Sequence, residues 1–197
     1  MSKLVVSEFI TVDGVIEDPG GSEGAARGGW AFQFDRGPEG TKFKLDELIA
    51  AEALLLGRVT YEGFAAAWPA RTDDLGFAEK INTMPKYVVS TTLERSDWTN
   101  STRIATDVVG EVTRLKDRLT GEILVNGSAQ LVRTLAKHGL VDEYRLMVFP
   151  VVLGGGKRLF TETSAATPLQ LREAKSAGEC LIVIYQARNG EPAGESA

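Results

Sequence analysis

The sequence predicts an α/β fold on a mostly parallel central sheet, closed at its C-terminal edge by an antiparallel hairpin. Three observations carry this. Short apolar runs such as Ile123-Leu124-Val125 are bounded by small residues, the pattern of strands buried on both faces. Helical periodicity follows the runs ending at Leu56 and Val125, so these connections are helical crossovers of the kind parallel strands need. Only at residues 169–174 and 178–187 do two extended runs follow each other across a short turn.

Taken in order, Lys3 to Ile10 is apolar and β-branched, with Glu8 interrupting it, and reads as a central strand that Val12 to Ile16 continues through a bend at Gly14. Residues 17–40 hold seven glycines and two prolines, too few periodic apolar residues for a helix. A loop of this length is either a lid or a surface insertion. Trp30 and Phe32 would stack on a flat ring in the first case, or pin the loop to the core in the second. From Thr41 the spacing of Phe43, Leu45, Leu48 and Ile49 predicts a helix, giving way at Glu52 to the strand Ala53-Leu54-Leu55-Leu56 and ending at Gly57. A second helix starts directly after Gly57. Residues 68–82 form a polar excursion, Lys86 to Ser90 a strand ending in hydroxyls, Ile104 a short strand, and Val108 to Leu119 an amphipathic helix.

The stretch from Glu122 to Phe160 is the organising unit: strand, Asn126-Gly127-Ser128 turn, helix, strand, then Gly154-Gly155-Gly156. Leu131, Val132, Leu135 and Leu140 share a helix face, with Ser128 able to cap its start and Gly139 to end it. A helix that opens straight after a strand end presents free N–H groups and its positive dipole end, a ready phosphate site, although a plain tight turn has the same sequence. Gly57-Arg58-Val59-Thr60 repeats the design with a forked cation and a hydroxyl.

At 197 residues and 43% hydrophobic content the chain fits one domain, expected over residues 1–188, with 189–197 a disordered tail. A net charge of -5 argues against nucleic-acid or anionic-membrane partners. One cysteine, Cys180, and one histidine, His138, exclude an internal disulfide and a His/Cys zinc cluster, and no metal is expected. Cys180 lies in an apolar run and reads as a buried thiol, His138 as a helix-end cation. The N-terminus enters a strand pattern directly and no apolar run approaches a membrane span, so a cytoplasmic location is expected.

Three strand ends, at Gly57, Ser90 and Gly127, therefore carry small, hydroxyl or cationic residues, and in an open α/β sheet such ends meet in one crevice. A ligand with several phosphates and a ribose would use them all. No GxGxxG run follows the first strand, so the ordinary dinucleotide fingerprint is missing. The motifs Asp13-Gly14, Gly57-Arg58-x-Thr60-Tyr61-Glu62, Lys86-x-Val88-x-Ser90-x-Thr92-Leu93, Gly127-Ser128-x-x-Leu131, Gly139-Leu140-Val141-Asp142-Glu143 and Pro150-Val151-x-Leu153-Gly154-x-Gly156-Lys157-x-Leu159-Phe160 resemble the dihydrofolate reductase-like superfamily. They are more closely similar to the C-terminal reductase domain of the bifunctional riboflavin-biosynthesis deaminase/reductase and its stand-alone bacterial relatives, in matching order over about residues 3–187.

The resemblance implies the dihydrofolate reductase-like three-layer fold, NADPH as cofactor, a small-molecule substrate and a homodimer. It would assign Gly57, Arg58 and Thr60 to the pyrophosphate and adenosine-side phosphate, Ser90 and Thr91 to the adenosine ribose phosphate, and Asn126, Gly127, Ser128, Ala129, Gln130 and Leu131 to the pyrophosphate from the other side. Phe9, Val12, Asp13, Gly14 and Ile16 would face nicotinamide and substrate, with Trp30 over them. Asp13 is the candidate catalytic carboxylate, or else a turn-stabilising residue before Gly14, and Glu8 is a second acid if it points inward. The family commonly has glycine where this chain has Asn126. The acid that binds pterin in true dihydrofolate reductases has no counterpart near Thr41, Asp46 and Glu47 falling too late, so folate is not the expected substrate. The implied activity resembles that of 5-amino-6-(5-phosphoribosylamino)uracil reductase; the alternative is a non-catalytic, dimeric NADP(H)-binding module.

Overall fold

A computed structural model describes residues 1–161 and 166–188; the expected C-terminal tail, 189–197, lies outside the described residues. Strands β1 (Leu4–Thr11), β2 (Ala51–Gly57), β3 (Lys86–Val89), β4 (Ser101–Ile104), β5 (Glu122–Val125) and β6 (Glu143–Phe149) run parallel. The hairpin β7 (Leu169–Ala177) and β8 (Cys180–Ala187) joins antiparallel to β6, giving the order β4-β3-β2-β5-β1-β6-β8-β7. Among the described residues no helix is long and apolar enough to cross a membrane.

The five helices are α1 (Gly37–Ala50), α2 (Arg58–Ala67), α3 (Phe77–Thr83), α4 (Val108–Arg118) and α5 (Ala129–Lys137), counted among the described residues. Alternation along the strands sorts them into two layers. Leu54, Leu56, Val88 and Leu124 meet Leu48 of α1, Tyr61 of α2 and Ile81 of α3 on one face. Leu55, Ile123 and Val125 meet Val112 and Leu115 of α4 and Leu131, Val132 and Leu135 of α5 on the other. Burying both faces removes the apolar strands from water and is the main driving force for this arrangement.

Four expectations need correction. β1 ends at Thr11 instead of continuing to Ile16; Asp13-Gly14 is a turn, and Val15 makes only an isolated bridge to Arg158. The first helix starts at Gly37, not Thr41, because Pro38 suits a first turn, and a 3₁₀ turn over Trp30–Gln33 shortens the loop before it. The polar excursion contains α3, whose start is secured by the Asp73 carboxylate accepting the N–H groups of Leu75, Phe77 and Ala78. β7 extends to Ala177, past the expected end at Ala174. Cys180 is buried as expected, and His138 lies at the end of α5, directly after Lys137.

Candidate active site

β1 and β5 are neighbours that part company. β1 pairs with β5 only from Leu4 to Val6, while on its other side it stays paired with β6 as far as Thr11. From Ser7 onward the edge of β1 facing β5 has no strand partner, and the chain after β1 leads to α1 on one face while the chain after β5 leads to α5 on the other. Adjacent strands whose connections leave on opposite faces open a crevice at their carboxyl ends. Here two side chains bridge the opening: Asn126 Nδ2 donates to the Ser7 carbonyl at 2.8 Å, and Glu8 Oε1 accepts the Gly127 N–H at 2.6 Å. Asn126 thus does work that a glycine could not.

On the far side of β5 the starts of α2 and α5 are packed together. Gly57 N–H donates to the Gly127 carbonyl at 3.2 Å, and a side chain at Gly57 would meet the backbone nitrogen of Ser128 at 3.1 Å. Gly127, with φ of 76°, leaves only 2.8 Å between a notional Cβ and Thr60 Oγ1, and the Gly127–Ser128 peptide is cis. Neither helix has a side-chain cap: Ser128, expected to cap α5, contributes only its carbonyl, which accepts from Val132. Among the described residues neither first turn is thus capped by a side chain, and the contact between Gly57 and the Gly127–Ser128 turn brings the two helix starts, with their positive dipole ends, side by side. This suits a pyrophosphate, so the residues present fit the dinucleotide that the motifs imply.

The residues singled out from sequence divide by placement. Gly57, Thr60, Gly127 and Ser128 lie together, which joins two of the three strand ends, those at Gly57 and Gly127. Ala129 and Leu131 are buried in the core, leaving their backbone amides to the site, whereas Gln130 is exposed. Arg58 is 43% exposed and paired with Glu62 at 2.9 Å. The Ser90 hydroxyl accepts the N–H groups of Thr92 and Leu93, shaping the loop, and Thr91 beside it is exposed.

Trp30 needs correction as a substrate residue. It is 1% exposed, packs edge-on against Phe149 and donates its indole N–H to the Glu17 carbonyl, so it pins the loop; Phe32, 75% exposed, is the ring left free. Ile16 likewise turns into the core. Phe9 is half-buried, with Lys44 Nζ 5.2 Å and Arg36 Cζ 5.8 Å from its ring centre. Val12 is exposed, and Gly14 forms the turn after it.

Asp13 holds the turn. Its Oδ1 accepts from the Thr11 hydroxyl at 2.6 Å and from Leu153 N–H at 3.2 Å, and its Oδ2 from Gly154 N–H at 2.9 Å. The Thr11 hydroxyl, followed by those amides, pulls the carboxyl down to about 2, so at neutral pH it is an anion with no proton to give. Of its two sequence readings, the turn-stabilising one is the arrangement found. Glu8 is the opposite case: buried, it is pushed up to about 8 chiefly by loss of solvent, against the Gly127 hydrogen bond and Lys44. Behind it, on the other face of β1, Ser7 donates to Glu47 at 2.7 Å and accepts from Lys44 at 2.7 Å, and Lys44 and Glu47 form an ion pair. An acid of α1 thus does reach β1, but its charge is spent inside that cluster. The signal for Glu8 was a lone charge in an apolar central strand; nothing in the spacing marked the Ser7–Lys44–Glu47 contact.

A parallel sheet with an edge hairpin, opened beside two converging helix starts, defines the dihydrofolate reductase-like class. A dihydrofolate reductase from Enterococcus faecalis, solved with NADP(H) and an inhibitor, superimposes with TM-score 0.57 at 15% identity, covering 94% of this chain and 96% of that one. A putative riboflavin biosynthesis protein from Shewanella sp. PV-4 superimposes with TM-score 0.73 at 18% identity, covering 94% of this chain and 99% of that one. The sequence matches the RibD C-terminal domain over residues 2–183, and the chain belongs to that family. It is also 27% identical over 191 residues to the uncharacterized protein YyaP of Bacillus subtilis (strain 168), covering 95% of this chain and 96% of YyaP.

Proposed function

We propose that this protein is an NADPH-dependent reductase delivering hydride to a C=N or C=O bond of a small polar heterocyclic or sugar-imine substrate, as 5-amino-6-(5-phosphoribosylamino)uracil reductase does. The observation that carries the reading is the pair of uncapped helix starts locked together at Gly57 and Gly127, beside the opened edge of β1. Membership of the RibD C-terminal domain family supports it independently.

In this reading the first-turn amides of α2 and α5 with Arg58 hold the pyrophosphate and adenosine-side phosphate, Arg58 giving up its exposed contact with Glu62, and Ser90 and Thr91 serve the adenosine ribose phosphate. NADPH, when bound, supplies the hydride. The chain supplies placement and electrostatics. Asn126 and Glu8 fix the turn to β1, Asp13 fixes the 153–154 turn to the exit of β1, and Phe9 with Lys44 lines the α1 side, where the substrate ring would lie. A homodimer belongs to the proposal on the strength of the family alone, and sedimentation of the purified chain tests it.

The deciding experiment has two readouts. Fluorescence quenching measures binding of NADPH and NADH, and loss of reduced-nicotinamide absorbance measures turnover against a panel of carbonyls and cyclic or glycosyl imines that includes the pyrimidine intermediate named above. Binding with oxidation supports the reductase. Binding without oxidation across the panel favours a non-catalytic NADP(H)-binding module, and no binding removes the nicotinamide assignment.

A further inference from the structure

We infer that Glu8 is the proton-holding group of this site, and that a dinucleotide bound at the Gly127 turn keeps its carboxyl protonated. The inference rests on the nicotinamide reading above. Its geometry is independent of any substrate. Glu8 lies on β1 two residues past the last rung shared with β5, where the sheet has opened. Its side chain is only 8% exposed: Oε1 takes the Gly127 N–H, and Oε2, which accepts no hydrogen bond from any described residue, reaches the open crevice. A buried carboxylate is expensive unless its lone pairs are met, whereas a protonated carboxyl needs fewer partners and carries a donor for a ligand.

The surrounding charges favour the same form. Glu47 from α1 and Glu23 from the loop after β1 act on Glu8 as negative neighbours, and Lys44 is the cation that opposes them. Lys44 is already held by Glu47 and the Ser7 hydroxyl. β6 places Leu146, an apolar residue, beside Glu8 in register. Burial leaves the free carboxyl at about 8, and the Gly127 N–H and Lys44 are what restrain it from going higher. A pyrophosphate would add negative charge on the turn that Glu8 touches, so binding must raise its proton affinity further. By linkage the proton must in turn tighten the dinucleotide. A proton is thereby stored beside the turn that would hold the dinucleotide.

Calorimetric titration of NADPH at about pH 8.5, in two buffers of different ionisation enthalpy, measures the protons taken up on binding. The wild type is expected to take up about half a proton or more, and its affinity to fall about fivefold between about pH 7.5 and about pH 9, a range in which phosphate monoesters are already dianionic. Glu8→Gln keeps the acceptor for Gly127 N–H, and should bind NADPH within about threefold of the wild type at about pH 7.5, with no proton uptake and a flat affinity. In the wild type alone, the infrared carbonyl band of a protonated carboxyl should gain intensity when NADPH is added at the higher pH. Binding without proton uptake, or uptake that survives in Glu8→Gln, overturns the inference while leaving the cofactor assignment standing. Failure of the wild type to bind NADPH at all removes the cofactor assignment itself.

Discussion

Gly57→Ala should push apart the two helix starts on which the dinucleotide reading depends. Gly57 has φ of -74° and ψ of 160°, values that alanine adopts without strain, so any cost comes from the methyl group. That methyl would stand 2.9 Å from Ser128 Cβ and 3.1 Å from Ser128 N, with Oγ nearer still. The hydroxyl can rotate away. The other two atoms belong to a turn fastened by Gly57 N–H to the Gly127 carbonyl and by Gly127 N–H to Glu8, so relief requires the start of α5 to move. Overpacking at a tight contact costs about 1–3 kcal/mol. A loss of about 2 kcal/mol in urea unfolding with unchanged slope is expected, together with at least about tenfold weaker NADPH binding from the splayed amides. Adding Ser128→Gly removes both side-chain atoms in the clash, and a coupling of about 1 kcal/mol in the double-mutant cycle would trace the loss to this contact. A Gly57→Ala protein as stable as the wild type, with unaltered NADPH affinity, would refute the packed-helix argument.

Glu8 also sets a pH dependence of stability. Its folded value of about 8 lies above the ordinary 4.5, so the native state holds the extra proton; stability is full below about 4.5, falls as pH rises toward 8 and then levels. Glu8→Gln should abolish that slope, with a ceiling near 5 kcal/mol from about 1.36 kcal/mol per unit, and denaturant midpoints across pH check it. Arg58→Ala is expected to weaken NADPH by about 1 kcal/mol, because the guanidinium must first leave an exposed pair of small net worth, and Glu62→Ala should tighten binding by freeing it; equal affinities in all three would remove Arg58 from the site. Asp13→Ala should accelerate amide hydrogen exchange at Leu153 and Gly154, whose N–H groups lose their acceptor. Because the Asp13 carboxyl is held near 2, its contribution is present above the ordinary 3.8 and lost only as pH falls toward 2, so this exchange should not vary with ionisation of Asp13 near neutrality.

Much of the fold was legible because its signals are local. Apolar runs of strand length, each ended by a small residue and followed by helical spacing, identify the parallel strands and their crossovers, and the two consecutive extended runs at the end identify the hairpin. Element ends were less legible. α3 was hidden because its seven residues bury only Ala78 and Ile81, too short a stripe to stand out, and its start depends on a cap by Asp73 four residues upstream. Trp30 looked equally suited to ring stacking and to anchoring, since a large amphipathic side chain meets both demands. Its burial against Phe149, 119 positions away in the chain, decided between them.

By itself the sequence determined the α/β class with its edge hairpin and the small and hydroxyl residues at three strand ends, since periodicity and composition act within a few positions of one another. Only the tertiary structure decided which carboxyl group carries a proton. Asp13 and Glu8 sit on the same strand and its exit, yet backbone amides from residues 153 and 154 hold one ionised, while burial at the parting of β1 from β5 holds the other neutral. For Asp13 the neighbouring Thr11 hydroxyl adds to amides that only the fold brings near, whereas Glu8 owes its acidity to burial and to a contact 119 residues away.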